Sequence, residues 1–157
     1  MKSPSEKTEA TPWPPRPGNS PLLHLTEQNL EVPQELWSRE SLTEEDKRGW
    51  CPLLWLVFHE TLSVLPEGLL DRELVNRPLA KDNNCLHYAA SWDKPVAAEY
   101  LLRHGADPLL PNGEGKNAIE LAANKSQLLL KMLNRAVVTE KKRRLGQELE
   151  KPARPSI

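Results

Sequence analysis

The stretch from residue 82 to residue 108, DNNCLHYAASWDKPVAAEYLLRHGADP, constrains the fold of this chain more than any other. Residues 86–90 have the apolar spacing of a short helix, and residues 97–102 supply a second helical stripe. Pro95 is placed to open the second helix, and Gly105 stands where a helix commonly ends in a left-handed residue. The stretch therefore predicts a helix, a tight turn, a second helix and a glycine stop.

This unit resembles an ankyrin repeat. The residues in register with the family pattern are Leu86, His87, Ala89, Ala90, Leu101, Leu102, Gly105, Ala106 and Asp107. The chain departs from the pattern at Cys85, where Pro is usual, at Asn84, where Thr is usual, and at Asp82 and Asp93, where Gly is usual. These departures alter the turns and leave the register intact.

A repeat of this kind cannot bury its apolar face alone, so the resemblance implies further copies at the family period of about 33 residues. Residues 46–53 fit the start of the pattern, with Cys51 replacing Thr, and residues 115–123 fit it loosely. The implied fold is all-α: an ankyrin-type solenoid of stacked helix–turn–helix repeats over residues 46–136, with short β-hairpin fingers and capping helices. The fingers are expected at residues 76–84 and 109–116, with the tight turn at Asn112-Gly113. Leu53, Leu86 and Ile119 should occupy equivalent places along the stack.

The chain outside the repeats divides into three predicted segments. Residues 1–17, ending in PWPPRP, are expected to be a disordered Pro-rich leader, with a polyproline ligand as the alternative. Residues 18–45 are either a degenerate repeat or an N-terminal helical cap, and we favour the cap because terminal repeats are atypical. Residues 137–157 are expected to be a charged C-terminal helix end, followed from residue 145 by a disordered tail. The basic run at 141–144 is either a solvated helix end or a localisation or phosphate patch.

The first repeat has an apolar first helix at residues 51–60 and a second helix expected to begin at Pro66, with Leu69 and Leu70 facing inwards. In the third repeat, Ser126 is expected to cap the second helix.

Bulk composition excludes several classes of protein. The net charge of −1 argues against a nucleic-acid binder. The longest apolar run, residues 52–58, is far shorter than the ~20 residues that a membrane helix needs. The N-terminus has no apolar segment of the secretory type, so we expect a cytoplasmic protein, monomeric in isolation.

No residue pattern in the sequence predicts catalysis, a cofactor or a metal site. Cys51 and Cys85 are expected to be reduced, buried thiols. Cys85 and His87 are two residues apart, so on a helix they point about 200° apart and cannot form a nucleophile–base pair. The resemblance implies a structural role for His87, with its ring bonding backbone in the turn between repeats. We expect no enzyme; the alternative is a thiol- or His-dependent enzyme, or a metal protein, using these residues and His59.

The remaining function is protein binding. The resemblance implies that finger tips and first helices form a concave recognition face. Its candidate residues are Lys47, Arg48, Trp50, Phe58, His59, Lys81, Asn83, Ser91, Trp92, Glu114, Lys116, Asn124 and Lys125. Trp92 is expected to be an exposed anchor, whereas Trp50 and Phe58 either bind the partner or pack under the N-terminal cap. The lysines suggest an acidic rim on the partner.

The hypothesis is an adaptor, or an inhibitor of a partner protein. The alternative of the same class is a secreted effector or regulator that uses the same face.

Overall fold

The computed structural model describes residues 20–150. Within that part the backbone forms eight α-helices and three short 3₁₀ helices, and no β-strand. The α-helices are α1 (Pro21–Glu27), α2 (Arg39–Leu42), α3 (Pro52–Phe58), α4 (Arg72–Val75), α5 (Cys85–Ser91), α6 (Pro95–Arg103), α7 (Ala118–Leu121) and α8 (Gln127–Glu150). The 3₁₀ helices are Gln34–Leu36, Leu62–Val64 and Ala80–Asp82. The all-α prediction is confirmed, and the predictions for the leader and for residues 151–157 lie outside the described residues.

The first helices of the repeats keep a constant spacing, since α3, α5 and α7 begin at Pro52, Cys85 and Ala118. Asn84 and Asn117 cap α5 and α7, each accepting a hydrogen bond at 3.0 Å from a backbone N–H in the first turn. Leu53 and Leu86 are fully buried, and Ile119 packs against the same core. The three residues therefore have equivalent places in one stack, as predicted.

Helix α1 repeats this design one unit before α3. Ser20 caps it, and after the helix Asn29 is left-handed and the Leu30 N–H donates to the Leu25 carbonyl at 2.8 Å. The same left-handed residue and backward hydrogen bond follow α3 at Glu60 and Thr61, and follow α5 at Asp93 and Lys94. We therefore propose that residues 20–45 form a degenerate repeat, against our initial preference for a cap.

The second helices differ from repeat to repeat. In the first repeat, the helix predicted from Pro66 does not form, and that prediction is wrong. Gly68 has a φ of 81°, and the Leu69 N–H donates to the Pro66 carbonyl at 3.2 Å, so residues 66–69 close a turn. Asp71 then caps the short α4. Leu70 is buried as predicted, whereas Leu69 is only partly buried.

The fingers between repeats are tight loops, so the prediction of β-hairpins there is wrong. Each loop is spanned by a backbone hydrogen bond, from residue 46 to 50, from 79 to 83 and from 112 to 116, at 2.7–2.9 Å. Side chains take further backbone donors in the first and third loops: the Asp46 carboxylate accepts from Arg48 and Trp50, and the Asn112 amide oxygen accepts from Glu114 and Lys116. Donors occupied within a loop cannot pair two strands, so no ladder forms.

The third finger turns at a different glycine from the one expected at Asn112-Gly113. Gly115 has the positive φ, 76°, and neither Asn112 nor Gly113 does. Gly113 instead allows the second finger to approach, because a Cβ on it would lie 3.0 Å from the Lys81 carbonyl oxygen.

Helix α8 begins after Ser126, whose hydroxyl accepts from the Leu129 N–H as predicted. The helix continues to Glu150, so the expectation of disorder at residues 145–150 is wrong. Its charged half is fixed by two buried carboxylates. Glu140 accepts hydrogen bonds from Arg72, Arg143 and Arg144, and Asp107 accepts from Arg144. These contacts hold the helix against the first and second repeats and favour its continuation.

A single core of leucines, valines and alanines runs from Leu22 in α1 to Leu133 in α8. Small residues such as Ala89, Ala90, Ala97 and Ala98 are fully buried and let neighbouring helices approach closely. Among the helices of residues 20–150, none combines the length and the apolar character needed to cross a membrane.

Candidate functional site

Three tryptophans from two repeats stack in a ladder. The Trp50 ring lies between Trp55, with centroids 4.2 Å apart, and Trp92, with centroids 5.2 Å apart and planes within 6°. The repeat register produces this stack: Trp50 precedes α3, Trp55 lies on α3, and Trp92 caps the C-terminus of α5. Offset stacking of this kind stabilises each pair by about 0.5–1.5 kcal/mol beyond burial.

The ladder continues at both ends. His59 stacks on Trp55 at 5.7 Å, and Tyr88 lies against Trp92 at 5.0 Å. Backbone contacts hold these end groups, because the Tyr88 hydroxyl donates to the Ala80 carbonyl at 2.9 Å and His59 Nε2 lies 3.2 Å from the Glu27 carbonyl. The ladder therefore links α1, α3, α5 and a finger.

Phe58 stands edge-on to the ladder and is its most exposed ring. Its plane lies at 84–88° to Trp50, Trp55 and Trp92, with centroids 5.7–6.1 Å away. The Phe58 side chain is 39% exposed, and the Lys94 ammonium lies 4.8 Å from its ring centroid. We call Trp50, Trp55, Phe58, Tyr88, Trp92 and Lys94 the aromatic cluster.

The structure brings four predicted site residues together: Trp50, Phe58, His59 and Trp92. Trp92 differs from the prediction, because it is partly buried between Trp50 and Tyr88 and is not an isolated exposed anchor. Ser91 lies beside it at the end of α5, partly buried.

Sequence reasoning missed Trp55, Tyr88 and Lys94. One signal was available: Trp55 and Tyr88 are separated by one repeat period, so both repeats place an aromatic ring at the same position of the first helix. Lys94 had no such signal, because its contact with Phe58 depends on the left-handed turn at Asp93.

The polar candidates on the fingers divide into two groups. Arg48 pairs with Asp46 at 2.7 Å and with Glu27 at 3.2 Å, and Asn83 accepts from the Asn112 amide at 2.9 Å. These two residues stabilise the fingers themselves. Lys47 and Lys81 are exposed and make no ion pair within residues 20–150, which leaves them available to a partner.

The third repeat contributes little to the aromatic cluster. Glu114 and Lys116 form an exposed pair at 3.4 Å on their own finger. Asn124 is exposed and Lys125 is partly buried in the turn that leads to α8. These four residues lie one repeat further along the stack.

His87 has the predicted structural role. Its Nδ1 accepts from the buried Asn84 N–H at 3.0 Å, so its Nε2 carries the hydrogen and donates to the Leu110 carbonyl at 2.7 Å. The ring thus joins the second repeat to the finger of the third. Burial lowers the pKa of His87, and the bond to the Leu110 carbonyl opposes that shift only in part.

The two thiols are buried, as predicted, and poorly suited to nucleophilic chemistry. Burial raises the pKa of Cys51 to about 12 and raises the pKa of Cys85 well above its ordinary value. A thiolate is therefore disfavoured at both positions. Within residues 20–150, no three His, Cys, Asp or Glu side chains are grouped as metal ligands.

Comparison with known proteins decides the family of the central unit. The family model described as "Ankyrin repeat" matches residues 81–113. This chain contains an ankyrin repeat. The match covers the second finger, α5, α6 and the start of the third finger, which includes Tyr88, Trp92 and Lys94 of the aromatic cluster. The all-α stack around it is of the ankyrin type.

A 45-residue stretch is 40% identical to the palmitoyltransferase AKR1 of Lachancea kluyveri, covering 29% of this chain and 6% of that protein. The matched stretch thus represents a small part of the relative's length. Ankyrin repeats in general serve as protein–protein interaction modules.

Proposed function

We propose that this chain is a non-enzymatic module that binds a partner protein through its concave ankyrin face, as an adaptor or as an inhibitor. The observation that carries the proposal is the aromatic cluster, in which an exposed Phe58 and Lys94 lie on a stack of three tryptophans. Aromatic side chains dominate binding energies at protein interfaces.

The cluster suits binding because it is already ordered. Each ring is held by at least one neighbouring ring, so a partner would immobilise few side chains on docking. The cluster also carries a local cost: Trp55 Nε1 is buried and has no hydrogen-bond partner among residues 20–150. An unsatisfied donor of this kind costs about 1–3 kcal/mol, which is not expected of a cluster optimised for stability alone.

The alternative is that Trp50 and Phe58 serve only to pack the N-terminal segment. The placement of Phe58 disfavours it, because the ring keeps 39% of its surface exposed although α1 already packs on α3. The stack also runs mainly between the first and second repeats, and it contacts α1 through His59 at one end.

Lysines that form no ion pair within residues 20–150 support one kind of partner surface. Lys47 and Lys81 project from adjacent fingers, and Lys94 covers Phe58. Cations around an apolar centre favour a partner with apolar anchor side chains and acidic residues around them. We further propose a reducing compartment such as the cytoplasm, since both cysteines are buried as free thiols.

Affinity capture followed by mass spectrometry tests the proposal. The wild-type chain is compared with Phe58→Ala and with Leu149→Ala, a control that truncates a side chain 78% exposed at the end of α8. Phe58→Ala should lose a partner that the wild type and Leu149→Ala both retain, with circular dichroism showing that all three are folded. Equal capture of every partner by the three proteins would contradict the proposal.

A partner recovered in this way also separates the two roles. If the partner is an enzyme that this chain inhibits, it should lose activity when the purified wild-type chain is added in stoichiometric amount. It should keep its activity when Phe58→Ala is added instead. An adaptor leaves the activity of its partner unchanged and co-purifies with a second protein.

A further inference from the structure

A groove of about 720 Å³ lies between α6 of the second repeat and α8 of the third. Its apolar lining includes Pro95, Val96, Leu102, Leu128, Met132 and Ala136. Val96 on one wall and Leu128 on the other are each 60% exposed. Side chains of this size are usually covered in a folded protein, and exposed apolar surface grouped in this way marks an interaction site.

The unequal lengths of the two helices create the groove. α6 has nine residues and ends at Arg103, whereas α8 has 24 residues and extends beyond that end. Beyond the end of α6, Glu140 of α8 bonds Arg72 at 3.2 Å, and Arg144 bonds Asp107. These contacts fix α8 at that end, so the groove is held open by the fold and does not depend on a loop.

The charges around the groove are predominantly positive. Five cations line it, Arg72, Arg103, Lys131, Arg135 and Arg143, against the two anions Glu99 and Glu140. Glu99 is paired with Arg103 at 2.8 Å, and Glu140 with Arg72 and Arg143. Lys131 and Arg135 have no ion pair within residues 20–150, and they lie four residues apart on the same face of α8.

We propose that this groove binds an acidic amphipathic helix of another protein, with aliphatic side chains between α6 and α8 and carboxylates at Lys131 and Arg135. A cleft between two helices is the geometry that receives a third helix, anchored at positions i, i+3, i+4 and i+7. The two unpaired cations select an acidic helix over a basic one. An anionic membrane fits less well, because a bilayer is flat and the apolar residues line a concavity.

A labelled synthetic peptide tests this in fluorescence anisotropy with the full chain. The probe is a peptide of about 18 residues, or five helical turns, with leucines on one face and glutamates beside them. A second peptide carries lysine in place of each glutamate. The glutamate peptide should bind, more weakly at about 0.5 M salt than at 0.05 M, and the lysine peptide should not.

Variants locate the binding on the groove. Leu128→Asp, and the double variant Lys131→Glu with Arg135→Glu, should each weaken the glutamate peptide about tenfold or more. The double variant should gain affinity for the lysine peptide. Leu145→Asp and Lys141→Glu are matched controls on α8 outside the groove, and both should bind like wild type. Phe58→Ala should also bind normally, which separates this surface from the aromatic cluster.

Three results would overturn the proposal: no binding of the glutamate peptide, equal binding of the two peptides, or an equal loss in Leu128→Asp and Leu145→Asp. Phosphatidylserine vesicles serve as the comparison. Leu128-dependent binding to vesicles without peptide binding would assign the groove to a membrane surface instead.

Discussion

Replacing His87 with alanine should destabilise the fold more than the same change at the partly buried His104. The substitution leaves the buried Asn84 N–H without an acceptor and the Leu110 carbonyl without its donor, across the junction of two repeats. An unsatisfied buried donor costs about 1–3 kcal/mol and a lost hydrogen bond about 0.5–1.5, so the free energy of unfolding should fall by about 2–4 kcal/mol.

Urea unfolding at pH 7.5, followed by circular dichroism and tryptophan fluorescence, measures this loss. His104→Ala is the matched control, because the contacts of the His104 ring stay next to its own helix: Nδ1 lies 2.8 Å from the Tyr100 carbonyl and the ring stacks on Tyr100 at 4.2 Å. It should cost about 0.5–1.5 kcal/mol. Equal losses in the two variants, or a loss below about 1 kcal/mol for His87→Ala, would refute the role given to His87.

The stability difference between the wild type and His87→Ala should also depend on pH. Because burial lowers the pKa of His87 in the folded state, the unfolded chain binds the proton more readily. The stability that neutral His87 provides is therefore complete above its ordinary pKa of 6.5 and decreases as the pH falls below that value. The stability gap between wild type and His87→Ala should narrow in that window, and a gap independent of pH would contradict the assignment.

Three further outcomes follow from the structure. Glu140→Gln should lower the free energy of unfolding by about 1–2 kcal/mol, and by less in high salt because the arginines around Glu140 are partly exposed. The hydrogen bond from Arg143 is the main cause that lowers the pKa of Glu140 to about 2. The wild type should therefore lose this contribution to stability between pH 4.5 and 2, and the variant should not. Gly105→Ala should destabilise the fold by about 1–3 kcal/mol, because φ at Gly105 is +94° and the new Cβ would lie 3.1 Å from the Arg72 side chain. Gly146→Ala lies in open space within α8 and should stabilise the fold by about 0.5–1 kcal/mol in the same urea assay. Cys51 and Cys85 should react with a thiol reagent only as fast as the chain unfolds, and rapid labelling of the native protein would contradict their burial.

The sequence was sufficient for the register because the register depends on local signals. Leu86 marks a helix start, His87 a contact with the Asn84 N–H in the same turn, and Gly105 a helix end, and each signal lies within a few residues of the feature it predicts. The constant repeat period then extended this unit to its neighbours.

The details that failed depend on contacts distant in the chain or on side chains competing for the backbone. The hairpin fingers were wrong because Asp46 and Asn112 hold backbone donors that strands would need. The length of α8 was underestimated because Asp107, distant in the sequence, holds Arg144. Trp92 was expected in water because nothing in its neighbours reveals that Trp50, from the preceding repeat, stacks on it.

A double-mutant cycle between Trp50 and Trp92 tests the account most directly, because their contact exists only if the first and second repeats stack in register. Trp50→Ala, Trp92→Ala and the double variant are unfolded in urea beside the wild type. We predict a coupling energy of about 0.5–1.5 kcal/mol, as found for stacked aromatic pairs. Losses that add to within about 0.3 kcal/mol would contradict both the stack and the aromatic face built on it.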